Sequence, residues 1–552
     1  MKRSIFILTI LWLGSVLPLL GQATANGSSW YNDSTLTDDS RLQHANREFY
    51  VTFLSHNGKF AEHTDFYLSL YATSTEGATV VVEGWQTQFG DKKGGTKWTK
   101  QFTVPANGIG KMVIPHNVGY LQTSDENDKE WLHKGLIVKS DKPITLYSSS
   151  SYATVASYDA TRIYPIESLN REYVVQTFSG DDQATEFAIV STKDDNNIEL
   201  KIKETPFPFQ SATPVTTTKN ITLQKGESYL YTSSKGHVSL SGTSICADHP
   251  IAVFQGGQYA SVPIGSSTKS SHIYTQAAPT DSWGMQYIVT RTAGQTTDIV
   301  QITAAENGTE VYKNGKYLKT LGALETYTDA IIWGAEEAVY YNTTKATACY
   351  IYLTGRDDNP VFGSPSVTDI APLEQSITEA LCGIFQFRTT ENTEEDADGQ
   401  YVNIVVRTSD KYYMQMDGNT IGHLFKDLPY NVNGVKYSYA IVPVQKGTES
   451  FELRNDHGFV AHVYGRWKAQ VGQVSYSYTA GRNPLHSMWM TVNGIALNGN
   501  LGRTLCVSAP QDTFKSVINF NYSSIKWEFA PKEEGALRDI PDPVNPQRGP
   551  IG

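Results

Sequence analysis

The sequence predicts an all-β protein: four tandem β-sandwich-like quasi-repeats in a compact array, then a small C-terminal β element. Three observations predict it. First, Lys134-Gly-Leu-Ile-Val-Lys-Ser-Asp-Lys-Pro-Ile-Thr-Leu-Tyr147 reads as strand, Asp-Lys-Pro turn, strand, with the alternation of half-buried strands on both sides. Second, that stretch returns, as Ser244-Ile-Cys-Ala-Asp-His-Pro-Ile-Ala-Val-Phe254, Ala346-Thr-Ala-Cys-Tyr-Ile-Tyr352 and Gly458-Phe-Val-Ala-His-Val-Tyr-Gly465, and a feature echoed at near-fixed spacing marks a repeat. Third, the 552 residues are only 18% charged yet hold 32 Tyr and 10 Trp, which suits twisted sheets better than helical bundles. A propeller-like ring of the same repeats, with a central channel, is the alternative arrangement.

The repeats are expected at about 47–160, 161–268, 269–368 and 369–481. The first opens at Arg47-Glu-Phe-Tyr-Val-Thr-Phe-Leu54 and continues through Thr64–Ala72, Ala78–Glu83, Trp98–Val104 and Gly110–Ile114. The second opens on a close echo, Arg171-Glu-Tyr-Val-Val-Gln-Thr-Phe178, and its Thr185-Glu-Phe matches Thr64-Asp-Phe. The third opens at Met285-Gln-Tyr-Ile-Val-Thr290, with Thr297-Asp in the matching place. The fourth diverges, from Gly383-Ile-Phe-Gln-Phe387 through Tyr401–Val406 to Phe459–Tyr464. Each unit has the length and strand count of a small sandwich. Asn307-Gly308, Asn314-Gly315 and Asn493-Gly494 are hairpin turns. The one helix candidate is Leu373–Leu381. The joints 162–170, 272–284 and 369–375 share an apolar pair, a Pro and a short polar turn, which argues for a fixed geometry between units.

The ends read differently. Lys2 and Arg3, the apolar run to Leu20 and Ala23-Thr-Ala25 form a secretory signal peptide over 1–25, cleaved after Ala25. The apolar run is too short and broken for a membrane anchor. A flexible polar lead-in follows over 26–46. After the repeats come a small β unit at 482–530, with Lys526-Trp-Glu-Phe529 its clearest strand, and a disordered Pro-rich tail at 531–552. No transmembrane segment is expected once the signal is removed. The net charge of −11 argues against nucleic acid and anionic membranes as partners. Cys246, Cys349, Cys382 and Cys506 show no Cys-x-x-Cys pairing; buried thiols or one or two disulfides both fit.

Several segments resemble a known family. His272-Ile-Tyr-Thr-Gln-Ala-Ala-Pro-Thr-Asp-Ser-Trp-Gly-Met-Gln-Tyr287 resembles the His-x-x-x-Gln…Pro…Trp-Gly-x-x-Tyr segment of the IgGFc-binding protein N-terminal domain. Ser140-Asp-Lys-Pro-Ile144 and Asp248-His-Pro-Ile-Ala-Val-Phe254 look like its recurring strand. Ala371-Pro-Leu-Glu-Gln375, Val463-Tyr-Gly465 and Tyr476-Ser-Tyr-Thr-Ala-Gly481 resemble its closing segments. The likeness spans about 47–481 and lacks the Cys-rich modules of the animal mucus protein, so the chain looks like a bacterial secreted member. The resemblance implies an extracellular binding or adhesion module.

Chemistry-bearing motifs are sparse. There is no phosphate loop, His-Glu-x-x-His or Gly-x-Ser-x-Gly. Catalytic residues, metal ligands and cofactors are therefore expected to be none. His249 and His272 read as structural, Asp181-Asp182 and Asp194-Asp195 as turn residues rather than Ca²⁺ ligands, and Glu394-Glu-Asp-Ala-Asp398 as a hairpin tip. Trp85, Trp98, Trp131, Trp283 and Trp333 are candidates for a carbohydrate platform, with Trp283 better placed for joint packing. The expected function is secreted or surface recognition of a protein or glycoprotein, mucin-like or immunoglobulin-like, with periplasmic location as a further option. A structural envelope protein binding the cell's own components and a glycan hydrolase with paired carboxylates are the alternatives. The binding surfaces are expected at insertions that differ between repeats: Gln86–Lys97, Thr123–Trp131, Thr205–Lys219 and Thr390–Asp398.

Overall fold

A computed structural model describes residues 46–482, apart from 57–65, 88–93, 121–127, 130–132, 153–156, 179–182, 207–212, 235, 264–269, 356–362, 391–392, 396, 398, 433 and 470–471. Outside this range it describes the strands Ser4–Thr9, Met488–Val492, Ile495–Ala496, Phe514–Ile518, Lys526–Pro531 and Arg538–Asp539. The chain divides into two units, 37–484 and a second made of 1–36 with 485–552. In the second unit Ser4–Thr9 pairs antiparallel with Lys526–Pro531, and Met488–Val492 pairs with Phe514–Ile518.

The larger unit is all-β, and one long strand organises each repeat. In the second repeat this strand is Ser244–Ser261. Its first part pairs with the opening strand Asn170–Val174 and with Asn196–Pro206; its later part pairs with Thr185–Ser191 and the last strand Ser270–Gln276. The long strand thus leaves one sheet and enters another at Asp248-His249-Pro250. In the first repeat Asp141-Lys142-Pro143 splits it into Leu136–Ser140 and Thr145–Tyr152, one in each sheet. The recurring Asp-x-Pro is therefore a corner and not a hairpin, because its flanks never pair with each other. Corners where a strand switches sheets typically need a bend, and Pro there gives up no ladder bond.

Ala338–Leu353 and Ser450–Ala469 make the same transfer at Thr343–Ala346 and at Asn455–Gly458. Every repeat joins its two sheets into a sandwich by this device, and each sandwich closes on its own apolar residues. In the second these include Tyr173, Phe187, Leu200 and Val253. Asn314 and Gly315 turn the hairpin of Thr309–Lys313 and Lys316–Leu321 with positive φ at both positions, as type I′ requires. Asn493-Gly494 lies outside the described residues.

The helix expected at Leu373–Leu381 is absent. A 3-10 turn covers Leu373–Gln375, then Ile377–Gly383 runs as the opening strand of the fourth repeat, with Ile377 opposite Phe459. The i, i+4, i+8 spacing of Leu373, Ile377 and Leu381 imitates a helical stripe. Pro372 and pairing to the long strand decide otherwise. The fourth repeat therefore opens before Gly383-Ile-Phe-Gln-Phe387, the segment the sequence suggested. Pro165 and Pro279 lead the same 3-10 turn in the earlier joints, Ile166–Ser168 and Thr280–Ser282.

The repeats close into a ring. The sheet holding each last strand lays its outer face on the preceding repeat. Ala188, Val190, Ala252 and Phe254 of the second complete the core of the first. Tyr352 of the third meets Phe178 of the second, and Val405 and Val460 of the fourth pack with Ile288 and Tyr340 of the third. Tyr71, Tyr147 and Tyr158 of the first repeat pack among Phe385, Trp467 and Tyr476 of the fourth, which closes the circle.

The four last strands, Ser157–Ile163, Ser270–Gln276, Ser366–Asp369 and Gly472–Thr479, pack around one axis. They run parallel: His272 N donates to Ser157 Oγ, Tyr274 N to Asp159 Oδ2 and Gln276 N to Thr161 Oγ1. Ser364 N likewise donates to Ser475 Oγ, and Ser366 and Ser477 share a 2.7 Å hydroxyl bond. The axis holds Asp159, Ser366, Ser475 and Ser477, all fully buried. The ring's axis is thus a packed polar core among the described residues, and the channel expected of a propeller-like ring is filled.

Candidate functional site

Because the last strands are parallel, their first residues, Ser157, Ser270, Ser366 and Gly472, lie at one end of the ring, while the three Pro-led joints gather at the other. Loops held by rigid sheets are where binding groups concentrate, so this loop end is the candidate site.

Beneath it, between the first and second repeats, lies a buried polar cluster. His56 and His272 stack with ring centroids 3.9 Å apart. His56 Nε2 is 2.8 Å from Ser150 Oγ. Ser55 Oγ donates to Glu186 Oε2 at 2.5 Å, and Gln258 Nε2 donates to Ser55 Oγ at 3.1 Å. Burial pushes His272 down to about 3, and burial plus the neighbouring His272 lowers His56. Burial also raises the Glu186 carboxyl, partly offset by Ser55. Burial thus disfavours the charged form of each of these groups, as expected away from water. Ser150 and His56 have nucleophile–base spacing, yet Ser150 is fully buried in mid-strand, so no substrate reaches it.

The other sequence candidates do not converge. His249 is half-buried at the second corner, and its N–H donates to Asn196. Asp194 Oδ1 accepts from Lys225 N and Asp195 Oδ1 from Gln224 Nε2, so both serve turns; Asp181 and Asp182 lie outside the described residues. Trp98 and Trp333 are buried in separate cores, Trp283 bonds Ala278 O within its joint, and Trp85 stacks on His133 at 4.5 Å. Trp131 lies outside the described residues, and the others form no shared platform. Cys349 and Cys382 are free thiols, with Cys382 pushed up to about 12 by burial, and Cys246 is half-buried; Cys506 lies outside the described residues. Asp159 and Asp298, both raised by burial, are fully enclosed, and Asp281, also raised by burial, is half-buried in the second joint. A cavity of about 10 Å³ beside Asn403 and His462 has room for one water.

Parts of all four insertions lie outside the described residues, and none of the acidic side chains of Glu394-Glu-Asp-Ala-Asp398 is described. Asp128–Lys129, inside Thr123–Trp131, pairs with Leu230 and Tyr231 of the second repeat. Val215–Leu223, inside and beyond Thr205–Lys219, is an exposed edge strand. Sequence reasoning missed the exposed pair Tyr412 and Tyr413 of the fourth repeat; an unusually long link between its second strand and its short hairpin was the available signal.

The described residues thus form a closed ring of sandwiches with buried polar seams. The model of the family described as IgGFc binding protein matches residues 159–465, from the last strand of the first repeat to the long strand of the fourth. The chain belongs to that family. It is also 26% identical over 183 residues to the human IgGFc-binding protein, a stretch covering 33% of this chain and 3% of the human protein.

Proposed function

We propose that the chain is a secreted or cell-surface recognition protein, not an enzyme, that binds a protein or glycoprotein partner, mucin-like or immunoglobulin-like, through the loop end of its ring. One observation carries this reading: the four last strands run parallel and so begin at a single end. Variation among loops on a repeated rigid base is how a common scaffold acquires a particular partner. The family's name and the human relative's name support a protein partner. The leader at 1–25 supports export, and no helix among the described residues is long and apolar enough to cross a membrane.

The test is a pull-down of the full secreted chain against mucin, immunoglobulin and the producing cell's envelope, repeated with 153–156 and 264–269 replaced by Gly-Ser segments. Capture of mucin or immunoglobulin that the replacements abolish is the expected result. Capture of envelope components alone, unaffected by the replacements, contradicts recognition and favours a structural protein.

A further inference from the structure

Three repeats carry an outer strand in the same place. Ser228–Thr232 pairs with Thr185–Ser191 in the second, Thr326–Ile332 with Thr297–Ala304 in the third, and Val435–Val444 with Gly399–Arg407 in the fourth. In the second repeat the far edge of that strand is covered, because Asp128–Lys129 of the first repeat pairs with Leu230 and Tyr231. In the fourth, Lys426–Val432 pairs along it. In the third, Thr326–Ile332 ends its sheet with no strand beyond it among the described residues. The link of the second repeat that corresponds to the first repeat's covering segment, 233–243, instead pairs Val238–Ser239 with Thr205 and Pro206 of its own repeat.

The bare edge presents its backbone outward. Ala304 N donates to Glu325 O and Trp333 N to Thr296 O, so the odd-numbered residues bond inward to Thr297–Ala304. The N–H and C=O groups of Thr326, Thr328, Ala330 and Ile332 therefore face away from the sheet. Ala330 is exposed, and Ile332 is 82% exposed. Edge strands are usually blunted by Lys, Pro or a bulge. Thr96–Val104, Gly108–Ile114, Val215–Leu223, Lys316–Leu321 and Lys426–Val432, which also end sheets, each carry Lys. Thr326–Ile332 has no Lys, Arg or Pro and runs without a register shift.

We propose that Thr326–Ile332 takes up an extended segment of a protein partner as an added strand, at a surface independent of the loop-end reading. The occupant follows from the second repeat, where a short extended segment sits on Leu230 and Tyr231. Their counterparts by register are Thr328 and Asp329. Main-chain bonds give the grip, and the strand's side chains favour uncharged β-branched residues, which pair well opposite Thr328 and Ile332. Asp329 is the strand's only charged residue, and it already accepts from Lys313 Nζ at 2.7 Å and from the Tyr341 hydroxyl. Glu325, just before the strand, pairs with Lys319 at 2.6 Å.

The probe is a labelled, end-blocked peptide of alternating Thr and Val, as long as the strand, titrated onto the full secreted chain. The control is the same peptide methylated on every amide nitrogen. Wild type should bind the unmethylated peptide, and binding should slow hydrogen exchange at Thr326, Thr328, Ala330 and Ile332. Ala330→Lys and Ala330→Pro should each weaken binding by ~10-fold or more, the worth of one or two main-chain bonds. The Ala330 N–H serves no bond within the sheet, so circular dichroism and the melting temperature should match wild type. No binding, equal binding of the methylated peptide, protection of another edge such as Val215–Leu223, or an affinity that both variants leave unchanged would each overturn the proposal. So would a dimer in size-exclusion chromatography that Ala330→Lys dissolves, since the edge would then belong to a second copy of the chain. Replacing 153–156 and 264–269 should leave peptide binding intact.

Discussion

Arg482 donates through Nε to Asp369 Oδ2 at 2.7 Å, and Tyr164 donates to the same oxygen at 3.0 Å. One carboxylate thus ties the joint after the first repeat, the end of the third and the exit of the fourth. Both ion-pair partners are buried, at 7% and 4% side-chain exposure. Removing one leaves the other charge buried and alone, so Arg482→Ala or Asp369→Ala should destabilise by about 3–5 kcal/mol. The paired Arg482→Met with Asp369→Leu should recover much of that loss. Chemical denaturation of the three variants checks this; a double variant as unstable as the worse single one contradicts it.

Asp159 accepts from Ala160 N, Tyr274 N, Ser366 Oγ and Val367 N. Its two oxygens join the last strands of the first three repeats at the axis. Asp159→Ala would orphan donors from all three strands, at about 1–3 kcal/mol each. A loss of ~3 kcal/mol or more is expected, and hydrogen exchange at Tyr274 and Val367 should rise first.

The buried histidines predict a pH dependence with a definite sign. Burial holds His272 at about 3 and His462 at about 4, against ~6.5 when unfolded. Between those values the unfolded chain binds the extra proton, so each histidine's contribution is intact above ~6.5 and falls as pH drops, by ~1.4 kcal/mol per unit. Asp281 and Asp298, raised to about 6 by burial, act oppositely between ~4 and 6. The clean measurement is therefore a difference: the stability of wild type relative to His272→Asn should decline steadily from pH 6.5 to 4. A flat difference contradicts the assignment.

Gly135 and Gly226 hold the first and second repeats together by close approach. A Cβ at Gly135 would lie 2.3 Å from Gly226 O, a backbone atom. Gly135→Ala should cost about 1–3 kcal/mol through forced displacement, read as a lower denaturation midpoint, whereas Ala at the open Gly447 meets no such contact and strains only its own backbone.

Much of this fold was written locally. Arg47-Glu-Phe49 and Arg171-Glu-Tyr173 echo because both strands pair with the first half of a long strand, and Asp-x-Pro marks the corner because bends need it. Local likeness also misled. Thr185-Glu186 and Thr297-Asp298 match in sequence but differ by one residue in register. Ser191 and Ala304 occupy equivalent places, opposite Ile251 and Thr347, so Glu186 corresponds to Ile299. One step in a strand reverses the face. Glu186 accordingly reaches Ser55 of the first repeat, while Asp298 bonds Trp333 of its own. Ring closure left no local mark, since contacts such as Tyr147 with Phe385 join residues far apart in sequence. The exposure of Tyr412 and Tyr413 was invisible because only the surrounding fold shows which tyrosines stay wet.

Closure between first and fourth repeats underlies both the common axis and the single loop end, and Tyr147 with Phe385 tests it most directly. Their rings meet edge-on with centroids 5.2 Å apart. A double-mutant cycle with Tyr147→Leu and Phe385→Leu should give a coupling of about 0.5–1.5 kcal/mol. Strictly additive losses would mean that the two repeats do not touch and that the ring is open.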